Sequence, residues 1–345
     1  MNAPVQPPVP SLDLTTLLQT LNAHTLLLRV LVSLAEFGVP DRLLSGPKTA
    51  SDLAAGARLD APTLYRVLRY AASHGIVVED GGGRFSLAAG AEGLCAEAAH
   101  SVRSRLRRPW QDLVWKSYER LPDMLRSGTA AFDLAFGESF FDYLAAHPEQ
   151  NALFDQSMAR LSQVENPLIA ASFPFGDYDW IVDIGGGHGG LLAAVLDRYP
   201  AIRAVLFDQP QVLAAGDALF EGRHRDRAEP AAGDFFAGVP PGGDIYILKR
   251  ILHDWDDDRA QQILEHCRTA LRPTARLLVI DAVMKPGHEP DPNKFMDVNI
   301  MALTGGRERT ESEFRDLCAR AGLKLLGLRP LPPPAALSLL EVGLA

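Results

Sequence analysis

Cysteine is scarce in this 345-residue chain: Cys95, Cys267 and Cys318 lie far apart and are odd in number. They offer neither a disulfide framework nor a metal-binding spacing, so a reducing cytoplasm is the simplest setting. A basic excess is also missing. Against 43 Asp and Glu stand 34 Lys and Arg, a formal net charge of −9, which suits a protein holding nucleic acid or an anionic membrane surface poorly. The first residues, "MNAPVQPPVP", lack the basic-then-apolar pattern of a secretory signal. Long apolar runs are lacking too: "TLLLRVLVSLAEFGV" falls short of a membrane span and carries Arg29 and Glu36. The expectation is a cytoplasmic protein with no nucleic-acid partner, no membrane partner and no metal. The remaining composition, 47% hydrophobic and 22% charged, is ordinary for a globular chain with room for two domains.

Residues 11–45 read as apolar helices, with leucines every three to four positions and too little polar surface for a lone helix. Such a face needs a cover, either the rest of the chain or a second copy, and a homodimer contact is expected. Next, a helix from Ser51, a turn at Gly56 and a helix from Ala61 to about His74 lead into "IVVE" and "RFSL", a hairpin joined through Asp80–Gly83. That is the order of a winged helix. Arg66 and Arg69 on its second helix would serve DNA binding. The apolar Leu64, Val67, Leu68 and Ala71 instead suit a winged-helix shape reused for packing and dimerisation. A mostly helical stretch follows to about residue 170, with the basic "RSRLRRPW" and the aromatics and Met158 of "FGESFFDYLAAHPEQNALFDQSMARLSQ". From Asp179 strands alternate with helices: "WIVDI", "AVLFD", "DIYILKRIL" and "RLLVIDAVM". The expected fold is α/β, a doubly wound, largely parallel sheet with ligands at its strand carboxyl ends.

"IVDIGGGHGG", residues 181–190, puts five glycines into six positions after an apolar run. Glycine tolerates positive φ and lets atoms approach the backbone, at an entropic cost, so the cluster implies a tight turn or a ligand on the main chain. Gly185, Gly187 and Gly190 satisfy G-x-G-x-x-G, and Asp208 follows at the distance of a ribose-binding carboxylate. By itself this suits a dinucleotide oxidoreductase, but three features oppose it. Asp183 sets negative charge where a pyrophosphate would be repelled. In "GDFF", Asp234 can accept from an adenine amine while Phe235 packs on the ring. The loop also begins halfway along the chain, leaving room for a single sheet. Adenine, a ribose diol and a positive centre without phosphates describe S-adenosylmethionine, with S-adenosylhomocysteine as its product.

His253, in "LKRILHDW", directly follows a strand at the edge where ligands bind. Methyl transfer is an in-line displacement that needs alignment and an electron-rich acceptor. A neutral histidine can take the proton of a phenol as attack begins, and a carboxylate on the other ring nitrogen would fix its tautomer. Asp281, ending "LLVID", and Glu308, in "GGRERT", are the available partners. The run Asp254, Asp256, Asp257 and Asp258 reads as a helix start rather than a metal site. "TESE", Thr310 to Glu313, reads as a capping box.

"DIGGGHG", "FDQP", "GDFF", "LKRILHDW" and "GGRERTESEF" resemble, in order and spacing, the caffeate, hydroxyindole and bacterial antibiotic O-methyltransferases, over nearly the whole chain. The resemblance implies a Rossmann-like class I methyltransferase fold over residues 171–345. It also implies a helical, winged-helix-like dimerisation domain at 1–105 and a helical connector at 106–170 that contributes to the substrate pocket. It implies that Gly185 and Gly187 approach the cofactor, Asp208 holds ribose, Asp234 and Phe235 hold adenine, and Lys249 or Arg250 adds a contact. His253 matches the general base, and Asp281 and Glu308 match the flanking acids, although the family usually has glutamate where Asp281 stands. Asn299 and Leu303 match acceptor-facing positions, joined by Trp110, Phe154 and Met158. The implied activity is O-methylation of a phenolic hydroxyl on a small aromatic, in bacterial secondary metabolism. Relatives that use the same cofactor site for hydroxylation, decarboxylation or pericyclic chemistry are the alternative.

Overall fold

A computed structural model describes residues 13–98, 100–214, 219 and 222–345. The chain divides into two compact units, Met1–Asp112 and Leu113–Ala345.

In the first unit, Asp13 caps a helix of 23 residues, Leu14–Glu36, accepting from the Thr15 N–H. Its C-terminal half buries Val30, Val32, Leu34 and Ala35. Its N-terminal half leaves Leu14, Leu18, Leu21 and Leu26 more than half exposed. Because the helix begins well before the quoted apolar run and its threonines do not break it, it is by length and composition long enough to cross a membrane, contrary to the sequence expectation. A Thr49–Asp52 capping box opens helix Ala50–Ala57. That helix runs past Gly56 and stops at Arg58, whose left-handed φ of 57° makes the turn expected at Gly56. Helix Ala61–Ser73 follows. Strands β1 (Lys48–Thr49), β2 (Val77–Glu79) and β3 (Arg84–Leu87) form a sheet in the order β1-β3-β2. The Asp80 carboxylate closes the hairpin by accepting from the Gly82 and Arg84 N–H groups, each at 2.9 Å.

The second unit is built on a seven-stranded sheet of order β11-β12-β8-β7-β4-β5-β6. Its strands are β4 (Trp180–Ile184), β5 (Arg203–Asp208), β6 (Ala228–Ala232), β7 (Ile245–Lys249), β8 (Arg276–Asp281), β11 (Leu323–Pro330) and β12 (Ser338–Leu344). β9 (Val283–Met284) and β10 (Arg309–Thr310) form a separate parallel pair. From β8 to β6 the strands are parallel, and β12 joins antiparallel. The central strands β4, β7 and β8 read as nearly continuous apolar runs because both of their faces are covered. Ile181, Ile245, Ile247, Leu278 and Ile280 pack with helix Gly190–Arg198 on one face. Val182, Ile184, Tyr246, Leu248, Leu277 and Val279 pack with helices Asp257–Ala270 and Glu311–Arg320 on the other. Strand order reverses between β4 and β7, and the crevice at their carboxyl ends is where such sheets take ligands. The glycine loop leaves β4 there, and the turn carrying His253 leaves β7.

Candidate active site

The loop after β4 passes through Gly185, Gly187 and Gly189 at φ values of 67°, 60° and 74°, a region other residues adopt only with strain. Close approach excludes side chains as well. A Cβ on Gly185 would stand 2.5 Å from Ile251 Cδ1, and one on Gly186 2.5 Å from Asp183 Oδ2, whereas nothing lies within 4 Å of one on Gly187. The loop is therefore packed against the protein on one side and open at Gly187 on the other. Asp183 lies beneath it, buried, with neither carboxyl oxygen hydrogen-bonded among the described residues. Burial, reinforced by Asp208 and opposed by Lys249, pushes its carboxyl up to about 7. An orphaned carboxyl there disfavours phosphates and suits a cationic ligand, so the loop fits S-adenosylmethionine.

Asp208 holds the loop from β5: one oxygen accepts from the Gly187 N–H at 2.8 Å, the other from the Gln209 N–H at 2.7 Å. Burial raises its carboxyl despite these bonds, and each oxygen keeps a lone pair for a ribose diol. Phe235 Cε1 comes within 3.6 Å of the Gly185 Cβ position, which brings "GDFF" to the same crevice. Asp234 is exposed and accepts from the Phe236 N–H at 2.8 Å. Trp255, the last residue of "LKRILHDW" and not selected as a site residue, joins this group edge-on to Phe236, with ring centroids 4.7 Å apart.

Lys249 and Arg250 are engaged by Glu165, a buried residue on helix Pro148–Ser172 that sequence reasoning did not select. Arg250 donates to both Glu165 oxygens, at 3.2 and 2.5 Å. Lys249 Nζ lies 3.2 Å from the same carboxylate and 2.9 Å from Ser162 Oγ. Burial would raise the Glu165 carboxyl, but the hydrogen bond and charge of Arg250, with the charge of Lys249, hold it below its ordinary value. Arg250 also adopts a positive φ of 55°, a strained backbone of the kind found at functional sites.

His253 occupies the single 3-10 turn Leu252–Asp254 and is 6% exposed. Its Nδ1 lies 3.0 Å from Glu308 Oε1, and its Nε2 3.8 Å from Asp254 Oδ1. Glu308, not Asp281, is the hydrogen-bonded partner. Asp281 ends β8 fully buried, with both oxygens orphaned among the described residues, and burial pushes it up to about 7. Burial alone would lower the imidazole, yet Asp254, the Glu308 hydrogen bond and the charge of Asp281 bring it up to about 9. Glu308 is itself held by its N–H donating to Asp297 Oδ1 at 2.9 Å.

Asn299 and Leu303 lie on helix Pro292–Leu303. Asn299 Oδ1 accepts from the Tyr118 hydroxyl at 2.6 Å, a pairing across 181 residues that no local pattern signals. Leu303 is buried. Phe154 sits edge-on to Phe140 at 5.5 Å, and Met158 is half-buried on the same helix as Phe154. Trp110 belongs to the first unit. Asp256 caps helix Asp257–Ala270 by accepting from the Arg259 N–H at 2.8 Å, and Thr310 forms its capping box with Glu313. Among the described residues no group of three or more His, Cys, Asp or Glu is gathered as for a metal ion.

Residues 118–324 match the model of the O-methyltransferase domain. Over 315 residues, 89% of each chain, the sequence is 37% identical to a phenazine O-methyltransferase of Lysobacter antibioticus. The crystal structure of a mitomycin 7-O-methyltransferase is similar, with a TM-score of 0.89, 34% identity and 96% and 98% of the two chains covered. An O-methyltransferase of neocarzinostatin biosynthesis, solved with S-adenosylmethionine and 2-hydroxy-5-methyl naphthoic acid, has a TM-score of 0.81 at 29% identity, covering 92% and 96%.

Proposed function

The chain belongs to the O-methyltransferase family, and from that membership we propose that a phenolic hydroxyl is its acceptor and His253 the base that takes the proton. The enzyme is an S-adenosylmethionine-dependent O-methyltransferase of small aromatic secondary metabolites. The relatives described above are O-methyltransferases by name, which gives the hydroxylase, decarboxylase or pericyclase alternative no support.

Gly185, Gly187, Asp208, Asp234 and Phe235 would hold the cofactor, with Asp183 facing its positive charge. When bound, S-adenosylmethionine supplies an electrophilic methyl group. His253 presents Nε2 to the acceptor, because Glu308 occupies Nδ1. An imidazole raised to about 9 is closely matched to a phenol near 10, so proton transfer between them is nearly even in energy. Glu308 and Asp281 stabilise the imidazolium that results. Asn299, Leu303, Phe154 and Met158 are proposed to face the acceptor.

The buried His253–Glu308 pair at the carboxyl end of β7 carries this reading. His253→Ala is expected to lower kcat by about 10²–10⁴-fold, measured on a panel of hydroxylated phenazines and naphthoates. Calorimetric binding of S-adenosylhomocysteine should be unchanged. Wild-type turnover in the variant would remove His253 as the base and leave alignment alone.

The exposed leucines of helix Leu14–Glu36 further support a homodimer in which a second copy covers them. Three buried, unpaired cysteines support a cytoplasmic setting.

A further inference from the structure

We propose that Arg309 is a positioning residue for His253, its guanidinium clamping the main chain on both sides of the base. The proposal rests on His253 being that base.

A single 3-10 turn is a weak platform, since its hydrogen bonds are few and poorly aligned. Here the two that close it measure 3.2 Å, from Asp254 N–H to Ile251 O, and 3.3 Å, from Trp255 N–H to Leu252 O. Leu252 is buried in the core and Trp255 packs against Phe236, while among the described residues the turn's remaining main-chain hydrogen bonds come from residues 307–309. Arg309 Nη1 donates to Leu252 O at 2.9 Å, and Arg309 Nη2 to Trp255 O at 3.0 Å. Between them, the Arg307 N–H donates to His253 O at 2.9 Å. The preceding Gly306 lies so close that a Cβ there would overlap His253 O and the Asp254 backbone. One tripeptide thus grips the carbonyls flanking the base, while its middle residue, Glu308, reaches the imidazole itself.

Packing does not account for an arginine here. Its side chain is fully buried, and burying a guanidinium carries a desolvation penalty that a hydrocarbon of similar volume would not. The charge is compensated by Asp257, whose Oδ1 lies 3.0 Å from Arg309 Nε. That carboxylate also meets Arg307 at 3.1 Å and Arg320 at 3.5 Å. A planar fork spanning two carbonyls is geometry that lysine cannot reproduce. Alignment is also where a base is sensitive, because a misplacement of about 1 Å can cost about 100-fold in rate.

The charged groups acting on His253 are Asp254 on its own turn, Glu308 from the clamp and Asp281 at the end of β8; Arg250, just past β7, acts on those carboxylates. If the turn slackens, the ring loses its hold on Glu308 and the imidazole titrates lower. Loss of the guanidinium's own charge would push the other way, so a fall reports a loosened ring.

The test compares Arg309→Gln, Arg309→Lys and His253→Ala. The His253 titration is followed by NMR in the ligand-free full chain, S-adenosylhomocysteine binding by calorimetry, and kcat on a hydroxynaphthoate or hydroxyphenazine that the wild type turns over. For Arg309→Gln we expect unchanged thioether binding, a His253 titration moved down by at least one pH unit, and kcat lower by about 100-fold. Arg309→Lys should lie between that variant and the wild type, and it carries the test should the glutamine variant not fold. A folded variant whose His253 titrates as in the wild type overturns the clamp, even if kcat falls. If His253→Ala stays active, the base assignment fails, and the clamp with it, whatever the Arg309 variants do.

Discussion

Glu308 Oε1 stands 3.0 Å from His253 Nδ1 although 55 residues separate the two in sequence. With Nδ1 engaged by the carboxylate, Nε2 is the nitrogen left for the proposed proton transfer. Glu308→Gln keeps the shape and removes the charge. We expect kcat to fall by between about 10²- and 10⁴-fold, with the acid limb of the pH–rate profile displaced to lower pH. An unmoved limb in stopped-time assays across pH 6–10 would mean that Glu308 does not set the imidazole.

The wild-type profile follows from His253 lying at about 9. Base catalysis needs the neutral ring, so kcat/KM is expected to rise as pH passes up through about 9. The linked stability has the opposite sense. A histidine raised in the folded state contributes stability that is fully present below its ordinary value of 6.5 and lost as pH climbs through about 9. Denaturant titrations between pH 6 and 10 measure it.

Asp183 moves the stability of the ligand-free enzyme in the same direction, over a lower pH range. A carboxyl raised to about 7 binds its proton more tightly when folded, so stability declines as pH rises from the ordinary carboxyl value through 7. Asp183→Asn should therefore stabilise the ligand-free protein at pH 8 by on the order of a few kcal/mol. Its affinity for S-adenosylmethionine should fall by more than its affinity for the uncharged thioether. Thermal melts and calorimetry with both compounds check the two halves.

Among the described residues, Glu165 is the carboxylate that pairs with both Lys249 and Arg250. Removing one member of a buried ion group strands the others, at a cost of about 3–5 kcal/mol. Glu165→Gln is expected to destabilise by that order in urea unfolding at pH 7. Since the Glu165 carboxyl is depressed in the fold, the wild type's advantage is present above the ordinary glutamate value and shrinks as pH falls through the folded one.

The leucines of the first helix give a test of self-association. Leu18 and Leu21 are 60% and 52% exposed, so Leu18→Glu with Leu21→Glu costs little within one chain. The double variant is expected to halve the mass measured by light scattering. A mass equal to the wild type's would mean that these leucines form no subunit contact.

The strands, the glycine loop and the helix caps were legible because each is a local pattern. Apolar runs between turns mark β4, β7 and β8, and the Thr310–Glu313 box is closed within one helical turn. Glu165 was not legible. It is one acidic residue in a long helix, and its two partners lie 85 residues on or nearly so. The span-like length of the first helix escapes the sequence for a related reason: the apolar run starts at Thr25, whereas the helix Leu14–Glu36 continues its hydrogen bonds back through threonine and glutamine.

Sequence alone determined which residue types stand at the strand ends: a carboxylate before the glycines, one ending β5, and a histidine after β7. Short-range sterics and apolar periodicity settle those positions, and both are written into neighbouring residues. Only the tertiary structure decided that Glu308 rather than Asp281 hydrogen-bonds the imidazole, and that the Arg309 guanidinium reaches the carbonyls of Leu252 and Trp255. Those choices depend on how β9 and β10 pair and where their side chains meet, which is set by packing between segments far apart in the chain.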